Sequence, residues 1–273
     1  MSKIIDFHTH IFPDALAGRA IAELSAKAGV PPFTDGTAAG LRASMRAAGI
    51  DIAIAMPIAT RPKQAHSINK WAAELNAVDD GLLSFGTLHP AQEDWAEEIE
   101  WLAENGVPGV KFHSDYQDTF VDDPAMIAIC SALADAGIIA LFHAGVDIGL
   151  PPPVHCPPER LARLLDAVPM LTAVAAHMGG FSQWEDVREN LVGREVYLDT
   201  SYSLPHMGAD NFVELVRAHG AQRILFATDS PWTGQAEEVA VIRALPLTDE
   251  EKVAILGGNA EIVLGCPGTI CPC

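Results

Sequence analysis

The stretch Lys3-Ile4-Ile5-Asp6-Phe7-His8-Thr9-His10 decides how the rest of the chain is read. It begins as an apolar run and ends in two histidines one residue apart. Along a β-strand alternate side chains share a face. His8 and His10 are therefore expected to project together, with Asp6 below them on that face. Two imidazoles side by side at a strand end make half of a metal site, because histidine is the commonest ligand for zinc-like ions. Alone the motif is weak, since a core histidine followed by a loop histidine gives the same pattern.

Seven more apolar, β-branched segments follow, and the full set of strand candidates is 4–8, 52–57, 83–88, 109–113, 138–143, 171–177, 196–200 and 224–228. Amphipathic stretches separate them at 64–78, 94–105, 124–136, 158–167, 185–191 and 209–218. Strand–helix alternation indicates a parallel sheet, and eight such units close a barrel. The expected fold is α/β, a single (β/α)8 TIM barrel over residues 1–265. The first connection is long and carries two helical patterns, 15–28 and 37–48. This insertion, at about 11–50, is expected to lie over the barrel mouth as a lid. Helical patterns 235–245 and 248–264 follow the last strand, and the second opens with a capping box, Thr248-Asp-Glu-Glu251.

The formal charge of −19 argues against a nucleic-acid partner, which rewards clustered Lys and Arg. It equally disfavours an anionic membrane surface. No apolar run is long enough to span a bilayer and no basic, cleavable leader opens the chain, so a cytoplasmic location is expected. Five cysteines do not make a disulfide framework in a chain of this size. Three of them, Cys266, Cys271 and Cys273, fall in a tail, 266–273, read as a frayed end.

Barrel enzymes place their chemistry at the C-terminal ends of the strands. Here those ends carry His8 and His10, His89, Lys111 and His113, His143, His177, Asp199 and Asp229. So many histidines at one rim are hard to attribute to packing. His8, His10, His143 and Asp229 supply the nitrogen and oxygen ligands of a metal site that keeps an open position. His177 remains over to face that position as an acid or base. His89, before Pro90, is read as ending its strand. Arg61, in the loop after the second strand, is a candidate bidentate clamp for a substrate carboxylate. Trp232 and Tyr202 are candidate walls. His66, His155, His206 and His219 are read as surface residues.

Six of these segments, Ile5-Asp6-Phe7-His8-Thr9-His10, Gly109-Val-Lys111-Phe-His113, Phe142-His143-Ala-Gly145, Ala176-His177-Met-Gly-Gly180, Val196-Tyr-Leu-Asp199-Thr-Ser201 and Phe226-Ala-Thr-Asp229-Ser-Pro-Trp232, resemble the amidohydrolase superfamily. They are most similar to the amidohydrolase-related branch that includes aminocarboxymuconate-semialdehyde and γ-resorcylate decarboxylases. The late stretch Ile255-Leu-Gly-Gly-Asn259-Ala is similar to that group's C-terminal signature. The resemblance implies a distorted (β/α)8 barrel of the metal-dependent hydrolase type with one divalent metal ion, zinc first and manganese as the alternative. It matches His8, His10, His143 and Asp229 to metal ligands, and Asp229 and His177 to catalytic positions. Lys111 matches a lysine that bridges two metals in binuclear members. With His113 two residues on, a single metal is expected, and Lys111 and His113 are read as substrate-facing, or Lys111 as paired with Asp199. The resemblance also implies that homodimers are common.

The leading functional expectation is a hydrolase acting on a small amide, ester or lactone, with Asp229 accepting a proton from metal-activated water. The alternative is non-oxidative decarboxylation of a small aromatic or enoic acid, with His177 or Asp229 protonating the carbon that loses CO2 and Arg61 holding a carboxylate. A chain that looks short for the decarboxylases of the branch weighs against it. A barrel that binds without turnover is the third reading.

Overall fold

A computed structural model of the chain describes residues 2–78 and 80–265, so the tail cysteines lie outside the described residues. Nine strand segments run in parallel: β1 (Ile5–Thr9), β2 (Ile52–Ala55), β3 (Leu82–Ser84), β4 (Gly86–Thr87), β5 (Gly109–Phe112), β6 (Ile139–Phe142), β7 (Ala173–Ala175), β8 (Tyr197–Asp199) and β9 (Ile224–Leu225). They pair in the orders β1-β2-β3 and β4 through β9. Segments β3 and β4 are halves of one barrel strand interrupted at Phe85, whose N–H still donates to the Ala55 carbonyl at 2.9 Å. The ends meet where the Phe7 N–H donates to Phe226 O and the Asp229 N–H to His8 O, both at 2.9 Å. Eight barrel strands thus close a TIM barrel, as expected.

The strands are short and buried on both faces, which is why they read as apolar runs rather than alternating ones. Side chains from around the barrel, Ile5, Phe7, Ile54, Phe85, Leu141, Val174 and Leu225 among them, form one inner cluster. A second, larger cluster lies between the strands and the surrounding helices.

The chain's helices are α1 (Asp14–Ala28), α2 (Ala38–Ala48), α3 (Ala65–Asn76), α4 (Trp95–Glu104), α5 (Pro124–Ala136), α6 (Pro158–Ala167), α7 (Trp184–Asn190), α8 (Leu204–Met207), α9 (Ala209–His219), α10 (Gln235–Ala244), α11 (Asp249–Val253) and α12 (Asn259–Val263). In α6, Leu161, Leu164 and Leu165 are buried at helical spacing while Pro158 occupies the first turn, where its missing N–H costs nothing. The capping box before α11 is present: Thr248 Oγ1 accepts from the Glu251 N–H, and Glu251 accepts from the Thr248 N–H. The expected helix 248–264 is continuous but passes through a π-helical turn, Ala254–Gly258, between α11 and α12. Among the described residues, no helix is long and apolar enough to cross a membrane.

Two expectations change. The insertion does not act as a unit: α2 packs beside α10 in the outer ring with Leu41 and Met45 buried, and α1 alone lies over the mouth. Asp6 does not share a face with His8 and His10. The pairing of β1 with β2 slips by one residue between Asp6 and Thr9, a bulge that reverses which side chains point inward. Ile5 and Phe7 alternate into the inner cluster ahead of the slip, and His8 follows Phe7 to the same side. Asp6 turns outward, where it accepts from the Thr228 N–H, the Thr228 hydroxyl (2.6 Å) and Gln235 Nε2 (2.7 Å) of α10. Burial pushes its carboxyl up to about 6 against these hydrogen bonds. Asp6 ties the first strand to the segment that carries Asp229.

Candidate active site

The bulge also aims His8 and His10 into the barrel. His8 Nδ1 lies 2.8 Å from Asp199 Oδ2, and a carboxylate can only accept, so Nδ1 carries the proton. His10 Nδ1 lies 3.1 Å from the Met56 carbonyl, which fixes its tautomer in the same way. Each ring then presents the lone pair of Nε2, and these two nitrogens approach to 3.2 Å. Asp229 Oδ1 joins them, 3.0 Å from His10 Nε2 and 3.5 Å from His8 Nε2. Three lone pairs thus converge with no proton of their own between them. Two imidazoles and a carboxylate are the donor set of a divalent transition metal, and His8, His10 and Asp229 fit one. The groups behind them, Asp199 and the Met56 carbonyl, orient the rings as partners of metal-bound histidines do.

The surrounding charges agree. Burial, with the Lys111 ammonium beside it, pulls His8 down to about 3, so the ring is neutral. Burial works against the Asp229 carboxylate, yet His10 and His8 hold it well below the usual range. Lys111 Nζ lies 3.2 Å from His8 Nε2. Burial lowers its ammonium to about 8 while Asp199 and Asp229 support the charge. Lys111 thus meets the converging lone pairs through His8, while Asp199 is occupied by His8, by the His177 N–H at 3.0 Å and by the Ser201 hydroxyl.

His177 Nδ1 lies 3.0 Å from the Ser201 carbonyl and so bears its proton there, which leaves Nε2 aimed at His143 Nδ1, 3.0 Å away. His143 is therefore not in the converging trio but one ring removed from it. Its Nε2 is buried without a hydrogen-bond partner among the described residues. The His113 ring stacks on it, with centroids 4.0 Å apart, and His113 Nε2 pairs with Asp147 Oδ2 at 3.0 Å. Burial lowers the pKa of both His113 and His143.

The backbone is bent to make this arrangement. His177, Tyr202 and Asp229 have φ of 59°, 51° and 65°, the left-handed region that non-glycine residues avoid. Each sits just past the end of a strand. Gly145, at φ 83°, lets the loop after β6 lie directly on the loop that carries His177; a Cβ there would run into the backbone nitrogen of Phe181.

A cavity of about 630 Å3 opens above these groups and is lined by His10, Lys111, His113, His143, His177 and Asp229, with Tyr202 and Trp232 among its walls. Arg61 is a correction: it is exposed and outside the lining, because the turn Pro62–Gln64 directs it to solvent rather than to the barrel axis. His89 is buried away from the cavity, its Nδ1 accepting from the Ala91 N–H. His219 is buried on the Val196 carbonyl and His155 is largely buried against Asp115, so neither is the surface residue expected. The sequence reading missed Asp147, Tyr116 and the whole inner side of α1. Only Asp147 had a signal, four residues after His143 in an otherwise apolar loop.

The sequence model of the amidohydrolase family matches residues 5–266. No curated protein matches the chain. Among solved structures, 5-carboxyvanillate decarboxylase from Sphingomonas paucimobilis is similar with a TM-score of 0.71 and 18% identity, over 97% of this chain and 100% of that one. The 2,6-dihydroxybenzoate decarboxylase from Rhizobium gives 0.71 and 19%, over 97% and 99%. A 5-carboxyvanillate decarboxylase from Novosphingobium aromaticivorans, solved with manganese and 4-hydroxy-3-methoxy-5-nitrobenzoic acid, gives 0.71 and 18%, over 97% and 96%. These identities establish a shared fold. The leading expectation of hydrolysis is corrected: these neighbours are decarboxylases, the class given as the alternative. The objection from chain length falls as well, since the likeness takes in nearly the whole of each neighbour.

Proposed function

Because the chain belongs to the amidohydrolase family, we propose that it is a metal-dependent, non-oxidative decarboxylase of a small aromatic or enoic carboxylic acid. His8, His10 and Asp229 would hold one divalent ion, with His143 as the adjacent fourth ligand. Manganese, which the Novosphingobium neighbour contains, and zinc are the ions to load first. When bound, such an ion supplies Lewis-acid stabilisation to substrate oxygens that gain charge.

The observation that carries the reading is the setting of His177. Its ring lies 5.6 Å from that of His8 and 4.7 Å from that of His143, centroid to centroid, at the floor of the cavity. The Ser201 carbonyl fixes its Nδ1 proton. Nε2 is thus the atom that exchanges a proton with a substrate. The donor is the ring carrying a second proton, taken up from solvent on Nε2. As the carbon–carbon bond to the carboxylate breaks, its electron pair stays on the carbon, CO2 leaves, and the Nε2 proton ends on that carbon, while the Nδ1 proton stays hydrogen-bonded to the Ser201 carbonyl. His177 then recovers a proton from solvent. The Lys111 ammonium, buried on the same floor, counters the charge of a carboxylate or phenolate drawn out of water. Phe181, Tyr202 and Trp232 keep water from the reacting carbon.

The test is CO2 release by manganese- or zinc-loaded protein from 2,6-dihydroxybenzoate, 5-carboxyvanillate and related hydroxybenzoates. Turnover is expected, with His177→Asn slower by about 10²- to 10⁴-fold and with metal retained. Release of no CO2 from any of these acids, or equal rates in the variant, would overturn the proposal.

A further inference from the structure

The cavity extends well beyond what a one-ring acid occupies. At about 630 Å3 it falls in the middle of the range for drug-sized ligands, roughly 300–1,000 Å3. Its polar groups gather at the floor, and the walls away from the floor are formed by Leu16 and Leu24 of α1, Val30, Ile68 and Trp71 of α3, and Ile148. The hydrogen-bonding groups on this stretch are largely spent on one another. Thr60 Oγ1 donates to Gln64 Oε1 at 3.1 Å, and Ser67 Oγ donates to the Gln64 carbonyl at 2.9 Å. Lys27 lies over the Tyr116 ring, 5.0 Å from its centroid. Leu16 and Ile148 remain 56% and 47% exposed at the opening, an apolar surface of the kind that marks a binding site.

Resting on the decarboxylase reading, we propose that the substrate is an aromatic acid bearing a hydrophobic tail several carbons long. Its acid end lies at His8, His10, Asp229 and Lys111, and its tail runs between α1 and α3. A substrate with a second carboxylate at the far end is disfavoured, because Arg61 points to solvent and Lys27 is the one cation lining the outer part among the described residues.

The experiment uses the full, manganese-loaded chain and 2,4-dihydroxybenzoates carrying hydrogen, methyl, propyl or pentyl at ring carbon 6. Equilibrium binding is read by calorimetry and CO2 release is followed in parallel. Kd is expected to tighten by about fourfold per added methylene, the value of one buried CH2, until the chamber is full. Leu24→Asp, or Trp71→Ala if the first variant is unstable, is expected to flatten that dependence. Kd values that ignore or worsen with chain length overturn the proposal, as does failure of every acid to bind. Tightening with no CO2 from any acid would sustain the tail site and sink the decarboxylase reading. Turnover of the unsubstituted acid with no preference for longer tails would do the reverse.

Discussion

The Asp199 carboxylate holds His8 Nδ1 at 2.8 Å and thereby decides which nitrogen of His8 faces the barrel axis. It does this while buried, and although burial opposes ionisation, the His8 contacts bring the carboxyl down to about 2. Asp199→Asn keeps the shape but offers His8 a neutral partner that can present either an acceptor or a donor. Metal affinity is expected to fall about 10- to 100-fold, the usual cost of losing such an orienting group. Competitive titration against a chromophoric chelator reads the affinity, and circular dichroism should show the fold unchanged.

Gly145 and Gly137 share a left-handed φ, 83° and 69°, but not surroundings. At Gly137, behind α5, a Cβ meets nothing within 4 Å, whereas at Gly145 it strikes Phe181 and Gly180. Gly137→Ala is expected to cost about 1 kcal/mol. Gly145→Ala should cost more than about 2 kcal/mol and also impair the site, because His143 and His177 flank the contact. Urea unfolding of both variants makes the comparison.

Glu238 on α10 gives a pH test away from the metal donors. Burial, then the nearby Asp6 and Glu237, raise its carboxyl from 4.5 to about 7, and its Oε2 has no hydrogen-bond partner among the described residues. Between those values the folded protein binds a proton that the unfolded chain has released, so this residue's contribution to stability falls as pH rises from about 4.5 to 7. Glu238→Gln removes that dependence. Relative to wild type, the variant should gain about 1–3 kcal/mol between pH 5 and pH 8. Chemical denaturation with chelator present reads the difference, and the buried histidines titrate alike in both proteins.

Arg61 provides a negative prediction. Its side chain is exposed and does not line the cavity, so Arg61→Ala should leave stability within about 0.5 kcal/mol and turnover within about twofold, an equivalent margin in free energy. Steady-state kinetics on a hydroxybenzoate substrate decides it.

These outcomes follow what was legible in the chain. Polar residues at the ends of apolar runs marked the rim because parallel strands are otherwise uniformly apolar, so His8, His10, Lys111, His143, His177 and Asp229 all stood out. Asp6 was placed on the wrong face because a period of two cannot register a bulge, which is set by pairing with β2. Helices α1 and α2 read alike as amphipathic patterns, yet one covers the mouth and the other joins the ring; only tertiary contacts separate them. Lys111 was read as substrate-facing or paired with Asp199; its near neighbour His8 comes from a strand more than a hundred residues away, a distance no local pattern spans. Asp147 and Arg61 lie in loops, whose direction no pattern encodes.

The proposed reaction exchanges a substrate carboxylate, lost as CO2, for a proton delivered from protonated His177. Decarboxylation of 2,6-dihydroxybenzoate by the manganese-loaded protein in D2O tests it most directly, with the product analysed by mass spectrometry. CO2 release is expected with one deuterium on the product's former carboxyl carbon for each CO2, and that reaction is expected to be lost in His177→Asn. Absence of CO2 from the wild-type protein, or deuterated product formed as fast by the variant, would contradict it.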